Sequence, residues 1–304
     1  MDFLALLLSS RLESTEWYNS PEVLKNRVPI TVIVRARNEE ASVINTLESL
    51  KNQKRIWNGK EYSCAPEQVI IVNNASEDNT VEKVREFLDQ YSNHFSGILL
   101  DEKEIGRGKS LQRGIEFART NFIASVDADS IAHKYWLASH YLFLQRHPNV
   151  AAISGRTLFY NGPPHHHIIY DKIRTSVYTI GAAVHQGWIS FANYSGRRDV
   201  FLMSGGTADI ENVVPDDRVW SLKLRRWLQE EGWKWKLDSI GFNPWAIVYT
   251  DNWLSKKKYY LTELGDELTR VGKVSGVENL STFNQVIIKT TPLFRRWDRF
   301  KNRL

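Results

Sequence analysis

The sequence predicts an α/β protein whose mainly parallel central sheet carries helices on both faces. Three observations lead there. Short β-branched runs alternate with segments of three- and four-residue apolar spacing, polar or turn residues bound each run, and the residues of greatest chemical interest follow directly after the runs. Sheets of this kind bind ligands beyond the C-terminal ends of their strands.

The first run is "PITVIV" at 29–34, followed by the helical pattern "EEASVINTLESLKNQ". "EQVIIV" at 67–72 precedes the helical "NTVEKVREFLDQY", and "GILLD" at 97–101 precedes "GKSLQRGIEFART". "NFIASVD" at 121–127 closes the series, with a further helix expected from about His133. The ends of the first, second and fourth runs present Arg35 to Glu39, Asn73 to Asp78, and Asp127 to Asp129. Beyond 151 the pattern loosens, and most of the eleven tryptophans lie there. "ISGRTLFYNGPPHHHIIY" suggests a strand leaving the sheet and then a loop, and "IRTSVYTIGAAVHQGW" a helix. "FLMSGGTADI" suggests a strand meeting a glycine turn, and "DDRVWSLKLRRWLQEEG" a helix with an acidic N-terminus and a glycine stop. The expected organisation is an extension at 1–27, two halves of one composite domain at 28–150 and 151–250, and a basic helical tail at 251–304.

Composition narrows the class. With 304 residues, 42% hydrophobic and 25% charged, the chain is long enough to bury a sizeable core and ordinary for a globular protein. Cys64 is the sole cysteine, so no disulfide forms within the chain and nothing suggests an oxidising compartment. The apolar part of "MDFLALLLSS" is too short to span a bilayer and lacks the basic residues of a signal peptide, which favours a docked amphipathic segment and a cytoplasmic protein without a transmembrane segment. The formal charge of +5 is concentrated in "TTPLFRRWDRFKNRL", where Leu293, Trp297, Phe300 and Leu304 recur at helical spacing among arginines. That tail suits peripheral contact with an anionic membrane surface or nucleic acid, or a helix packed on the domain with a solvated basic face.

The pair Asp127 and Asp129 supplies hard oxygen ligands at a strand end, where Mg²⁺ or Mn²⁺ could be held against phosphate oxygens; the alternative is that Asp129 caps the next helix. "GRGKS" falls short of a P-loop, because Lys103 stands where that loop needs its first glycine. It leaves a glycine turn opening a helix, with Arg107, Lys109 and Arg113 either drawing an anionic ligand or forming a solvated face. Consecutive His165, His166 and His167 suit a surface loop better than a metal site. Trp188, Trp220, Trp233 and Trp235 could offer flat faces to sugars or bases, although a core role is the more common use.

Taken in order, "VPITVIVRARNEEASVINTLESLKNQ", "VIIVNNASEDNT", "GRGKSLQRGIEFA" and "FIASVDADS" resemble the nucleotide-sugar half of a family 2 glycosyltransferase of the GT-A, Rossmann-like fold, over about residues 28 to 150. The resemblance implies a nucleoside-diphosphate-sugar donor whose base and ribose lie against Arg35, Ala36, Arg37 and Glu39, with Asn74 and Asp78 on the neighbouring strand end. It implies that Asp127 faces the ribose and diphosphate with Ala128 beside it, that Asp129 binds Mn²⁺ or Mg²⁺ directly, and that Arg107 or Lys109 assists the diphosphate. Family members usually show "VDDGSTD" where this chain has "VNNASED", so Asn73 and Asn74 replace aspartates and the base is less defined. Farther on, "LMSGGTADI" and "VPDDRVWSLKL" resemble acceptor-side elements, which places Gly205, Gly206, Asp216 and Trp220 near the acceptor and Asp217 as the general base of an inverting transfer. The implied acceptor is a hydroxyl of a glycan, a lipid-linked sugar or a hydroxylated base in DNA. A nucleotidyltransferase and a non-catalytic nucleotide-sugar binding protein are the alternatives.

Overall fold

The structure, a computed structural model, describes residues 27–250 apart from 58–59, 95, 162–170, 172–174, 177, 180–181, 183–186, 211–215 and 238. Every described residue falls in one compact unit. The expectations for the N-terminal segment, the three consecutive histidines, most of the 173–188 helix and the basic tail lie outside the described residues.

The central strand β1 (Arg27–Ala36) is almost wholly buried, as a strand covered on both faces must be. It runs parallel to β4 (Ala65–Asn73) on one side and β6 (Phe122–Asp127) on the other, and β5 (Ser96–Asp101) runs parallel to β4. Between β1 and β4 come α1 (Val43–Lys51) and a hairpin of β2 (Lys54–Trp57) and β3 (Lys60–Ser63). Then follow α2 (Thr80–Gln90), α3 (Arg107–Phe117), β7 (Ile131–Ala132), α4 (Trp136–Arg146) and β8 (Val150–Phe159). The chain continues through β9 (Asn193–Arg197), α5 (Arg198–Met203), α6 (Asp216–Glu230) and β10 (Ser239–Thr250). The eight-stranded sheet has the order β5-β4-β1-β6-β9-β8-β10-β7.

Alternation along β1 sorts the core into two layers. Val32 and Val34 face α1, α2 and α4 in one cluster, while Ile33 faces α3, α5 and α6 in another. Helices therefore cover both faces, as expected.

The later half departs from the sequence expectations in particular places. β8 stays in the sheet, paired with β9 and β10. β9, which had no apolar pattern to announce it, runs antiparallel to both β6 and β8. Its polar side chains are there for packing: Asn193 donates from Nδ2 to the carbonyls of Arg156 and Ala246, and its Oδ1 accepts from Trp136 Nε1 and from buried His140. Burial pushes His140 down to about 4, so it sits there as a neutral ring. "FLM" of the expected strand is instead the end of α5; Arg198 holds this short helix by donating to the carbonyls of Ile115 and Glu116. Residues 131–132 pair with β10, so α4 starts only at Trp136 with Tyr135 as its N-cap, and Asp129 caps nothing.

Gly155 of β8 is required by this packing, because a Cβ there would fall 2.3 Å from the Ala246 carbonyl and 2.4 Å from the Asn193 amide. Gly155→Ala should lower the unfolding free energy by about 2–3 kcal/mol, read as a lower urea midpoint at unchanged slope.

Candidate functional site

Parallel pairing brings the C-terminal ends of β4, β1 and β6 side by side. Arg35 is the direct partner of Val72 on one side and of Asp127 on the other. Because side chains alternate along strands, Arg35 and Asp127 project to the same face as Ile33 and Ile123, the face covered by α3 and α6. There the Arg35 side chain is only 8% exposed. Its Nε and Nη2 donate to Asp127 Oδ1 at 3.0 and 2.5 Å, and its Nη1 donates to Asp216 Oδ2 at 3.1 Å, on the first turn of α6. The Phe191 ring lies 5.8 Å away. Burial opposes the charge of this guanidinium, but Asp127, Asp216 and Asp217 outweigh it and hold the pKa above the usual arginine value.

One turn beyond Asp127, where Ser130 N donates to the Asp127 carbonyl, stands Asp129. Burial, then the nearby charges of Asp127 and Glu39, push its carboxyl up to about 6; a hydrogen bond from Ser130 Oγ at 3.2 Å is too weak a counterweight. The Asp127 side chain is 34% exposed, so it opens outward while Arg35 holds its inner oxygen. Ala128 is buried; its N–H donates to the Arg35 carbonyl and its own carbonyl accepts from Thr46.

The loops after β1 and β4 brace each other. Asn38 N donates to Ser76 Oγ, Glu77 N donates to Asn38 Oδ1, and Glu39 N donates to Thr80 Oγ1. Asp78 accepts from the amides of Glu40 and Thr80 and from the Thr80 hydroxyl, which hold it below the usual carboxylate range despite the opposing effect of burial. Arg37, by contrast, is exposed at the rim.

Two expected donor contacts take a different form. The Asn74 side chain closes the loop before α3: its Nδ2 donates to the carbonyls of Glu102 and Glu104 and its Oδ1 accepts from Gly106 N. Its amide therefore holds the protein rather than facing a base. The Arg35 guanidinium is likewise turned inward onto two aspartates. No sequence signal pointed to that bridge except a cation closing an apolar strand.

Gly106 is the N-cap of α3, whose first turn carries exposed Arg107 and half-buried Lys109, the latter paired with Glu104. Gly108 allows this turn to approach the Gly205–Thr207 segment and α6: a Cβ there would lie 2.8 Å from the Thr207 carbonyl and 3.6 Å from Asp216 Cβ. Thr207 follows Gly205 and Gly206, whose φ values of +93° and +50° place both in the left-handed region. Asp217 is less buried than Asp216; its Oδ1 accepts from Arg218 N. Trp220 corrects the sequence expectation. It is fully buried, donates from Nε1 to Ser204 Oγ and packs on Phe191, Tyr194 and Phe201, so it supports the wall without facing a ligand. Trp188 is stacked under Arg225, and Trp235 is exposed.

The site thus gathers Asp127, Asp129 and Glu39 near the ends of β1 and β6, with Asp216 joined to Asp127 through Arg35 beside the first turn of α3. Residues 31–196 match the family model described as glycosyl transferase family 2, more than half of the chain. The chain belongs to glycosyl transferase family 2.

Among relatives of this glycosyltransferase family, the dolichyl-phosphate beta-glucosyltransferase ALG5D of Trichomonas vaginalis is 31% identical over 34% of this chain and 31% of its own length. A poly-beta-1,6-N-acetyl-D-glucosamine synthase of Staphylococcus aureus is 26% identical over 64% of this chain and 46% of its own. The chain spans less than half the length of these curated relatives. In fold it is similar to the mannosyltransferase PcManGT of Pyrobaculum calidifontis, solved with GDP-Man and Mn²⁺, with a TM-score of 0.57, 19% identity, and coverage of 81% of this chain and 65% of that one. It is also similar to S. aureus TarS, with a TM-score of 0.51, 17% identity, and coverage of 73% and 36%. The fold is that of the GT-A glycosyltransferases.

No cluster of three His, Cys, Asp or Glu side chains suited to a metal occurs among the described residues. The carboxylate pair nevertheless fits a divalent ion that takes its remaining ligands from phosphate and water, as Mg²⁺ commonly does. Asp129 is a carboxylate raised first by burial and then by its anionic neighbours, and a cation would offset both effects on its charge. Among the described residues no helix is long and apolar enough to cross a membrane.

In the metal-free protein the raised pKa of Asp129 means the folded state holds this proton more tightly than the unfolded chain does. Its charge therefore costs stability that sets in above pH ~3.8 and is fully present above about pH 6. In EDTA, Asp129→Asn should be about 1–2 kcal/mol more stable than wild type at pH 7.5, discounting for partial solvent screening. The difference should vanish near pH ~4 in paired urea melts.

Proposed function

We propose that this chain is a metal-dependent, inverting glycosyltransferase that moves a sugar from a nucleoside-diphosphate sugar to a hydroxyl acceptor. The observation that carries the reading is the division of the carboxylates: Asp127 and Asp129 at the end of β6, and Asp217 on the first turn of α6, held to β6 through Arg35 and Asp216. Membership of glycosyl transferase family 2 supports it, as do neighbours solved with GDP-Man and UDP-GlcNAc.

Asp127 and Asp129 would hold Mn²⁺ or Mg²⁺. When bound, such an ion offsets the negative charge that grows on a departing diphosphate. Arg107 and Lys109, with the uncapped N–H groups of α3, add positive potential on the same side. Arg37, Glu39 and Asp78 border the platform that receives the nucleoside. Asp217 takes the proton from the acceptor hydroxyl as its oxygen attacks the anomeric carbon, and the nucleoside diphosphate leaves from the opposite face. The base needs reach and an ionised carboxylate more than a raised pKa, because the hydroxyl acidifies as it attacks. Gly205 and Gly206 shape the acceptor wall that Trp220 supports from behind.

A thermal-shift panel of UDP, GDP and their sugars, with and without Mn²⁺, identifies the donor. With that donor and a hydroxyl acceptor, the product should be nucleoside diphosphate; pyrophosphate would point to nucleotidyl transfer. Asp217→Asn should lower kcat by about 10²–10⁴-fold while leaving the Mn²⁺-dependent shift by nucleoside diphosphate intact. Undiminished turnover in that variant would remove Asp217 from the mechanism.

A further inference from the structure

The Arg35 bridge joins parts of the site that have no backbone pairing to each other. Asp127 belongs to β6, Asp216 to α6, and the guanidinium reaching both comes from the middle of the sheet. Arg35 engages Asp127 through two nitrogens and Asp216 through a third, which suits the flat fork of arginine and not the point charge of lysine. A mobile surface pair would not fix anything, but here the guanidinium is buried and Asp216 is only 11% exposed.

Two consequences follow from this geometry. Asp217 sits one residue from an anchored Asp216, so the position of its carboxylate relative to the end of β6 depends on the bridge. In addition, Arg35 places a positive charge directly on Asp127, the carboxylate that neighbours Asp129. This opposes binding of a bare cation there. A diphosphate arriving with the cation brings the negative charge that overcomes the opposition.

We propose that Arg35 is a positioning residue that ties the acceptor helix α6 to Asp127 and, through the same contact, makes the cation bind together with the nucleoside diphosphate rather than ahead of it. This rests on the glycosyl-transfer reading above. The bridge is a property of this chain's own residues and is readable without turnover.

The test is a Mn²⁺ titration followed by electron paramagnetic resonance, without nucleotide and then with UDP or GDP, on wild type, Arg35→Met, Arg35→Lys and the double variant Arg35→Met/Asp216→Asn. The double variant removes one of the two carboxylates that Arg35→Met leaves buried and unpaired, and it carries the measurement if the single variant does not fold. The expected result is that Mn²⁺ alone binds Arg35→Met or the double variant about tenfold more tightly than wild type, so that nucleotide no longer strengthens metal binding to the same extent. Arg35→Lys keeps the weak Mn²⁺ binding of wild type because the charge remains. It should lose at least about tenfold in kcat with donor KM nearly unchanged, because the fork is gone. A purely structural role would weaken metal binding and catalysis together. Unchanged or weaker Mn²⁺ binding in the folded charge-deleted variant, or an Arg35→Lys protein with wild-type kcat, overturns the inference while leaving the transferase reading standing. Wild-type protein that binds neither Mn²⁺ nor either nucleotide overturns both.

Discussion

A guanidinium buried at the end of the central strand constrains everything around it. A lone charge in that position would cost several kcal/mol, so carboxylates must come to it, and they arrive from two different directions. Asp127 is supplied by strand register, which places it opposite Arg35 in the neighbouring parallel strand. Asp216 is supplied by a helix nearly two hundred residues later in the chain, and it can approach only because Gly108 lets α3 lie against Thr207 and Asp216. The site is therefore where the two halves of the sequence are forced into contact, and its geometry depends on charge pairing as much as on apolar packing.

Around that centre the loops are braced by side chains acting on backbone. Asn38 and Ala75 both adopt positive φ, near +55°, and the loops that contain them exchange hydrogen bonds through Asn38, Ser76 and Glu77. Asp78 gathers amides from both loops. A platform held in this way loses little further entropy when a ligand arrives, which is the physical benefit of preorganisation. Asn74 belongs to the same system. An aspartate there could accept from Gly106 N but could not also donate to Glu102 and Glu104, so the amide gives the loop before α3 two further ties.

The first half of the fold was legible because β1, β4 and β6 are largely buried and read as β-branched runs, with amphipathic helices between them. The parallel order that aligns Arg35 with Val72 and Asp127 follows from that alternation. What could not be read has a physical cause in each case. β9 is held by Asn193, Ser195 and Gly196, whose value lies in hydrogen bonds and close approach and leaves no hydrophobic pattern. The hairpin β2–β3 is short, exposed along β3, and tied down by polar links such as Lys54 N to the Lys134 carbonyl. "FLM" is too short to separate strand from helix by periodicity. The strand-end positions of Arg35 and Asn74 were visible in the sequence, but the orientation of their side chains was not: each turns into the protein.

On the proposed reading, electrostatics accounts for how a site this acidic would receive an anion. Glu39, Asp127 and Asp129 lie close enough for the first two to raise the third, and Asp216 and Asp217 add to the field at Arg35. A diphosphate approaching this group unaccompanied would be repelled, and a second buried arginine would neutralise the carboxylates permanently, leaving nothing for a cation to bind. One internal guanidinium leaves an intermediate state: Asp127 is held in place, Asp216 is anchored, and Asp129 keeps an unbalanced charge. On the proposed reading, that residual charge is what a divalent ion arriving with its diphosphate would meet. Specificity for the pair, cation and phosphate together, would then come from incomplete neutralisation rather than from a preformed metal cage.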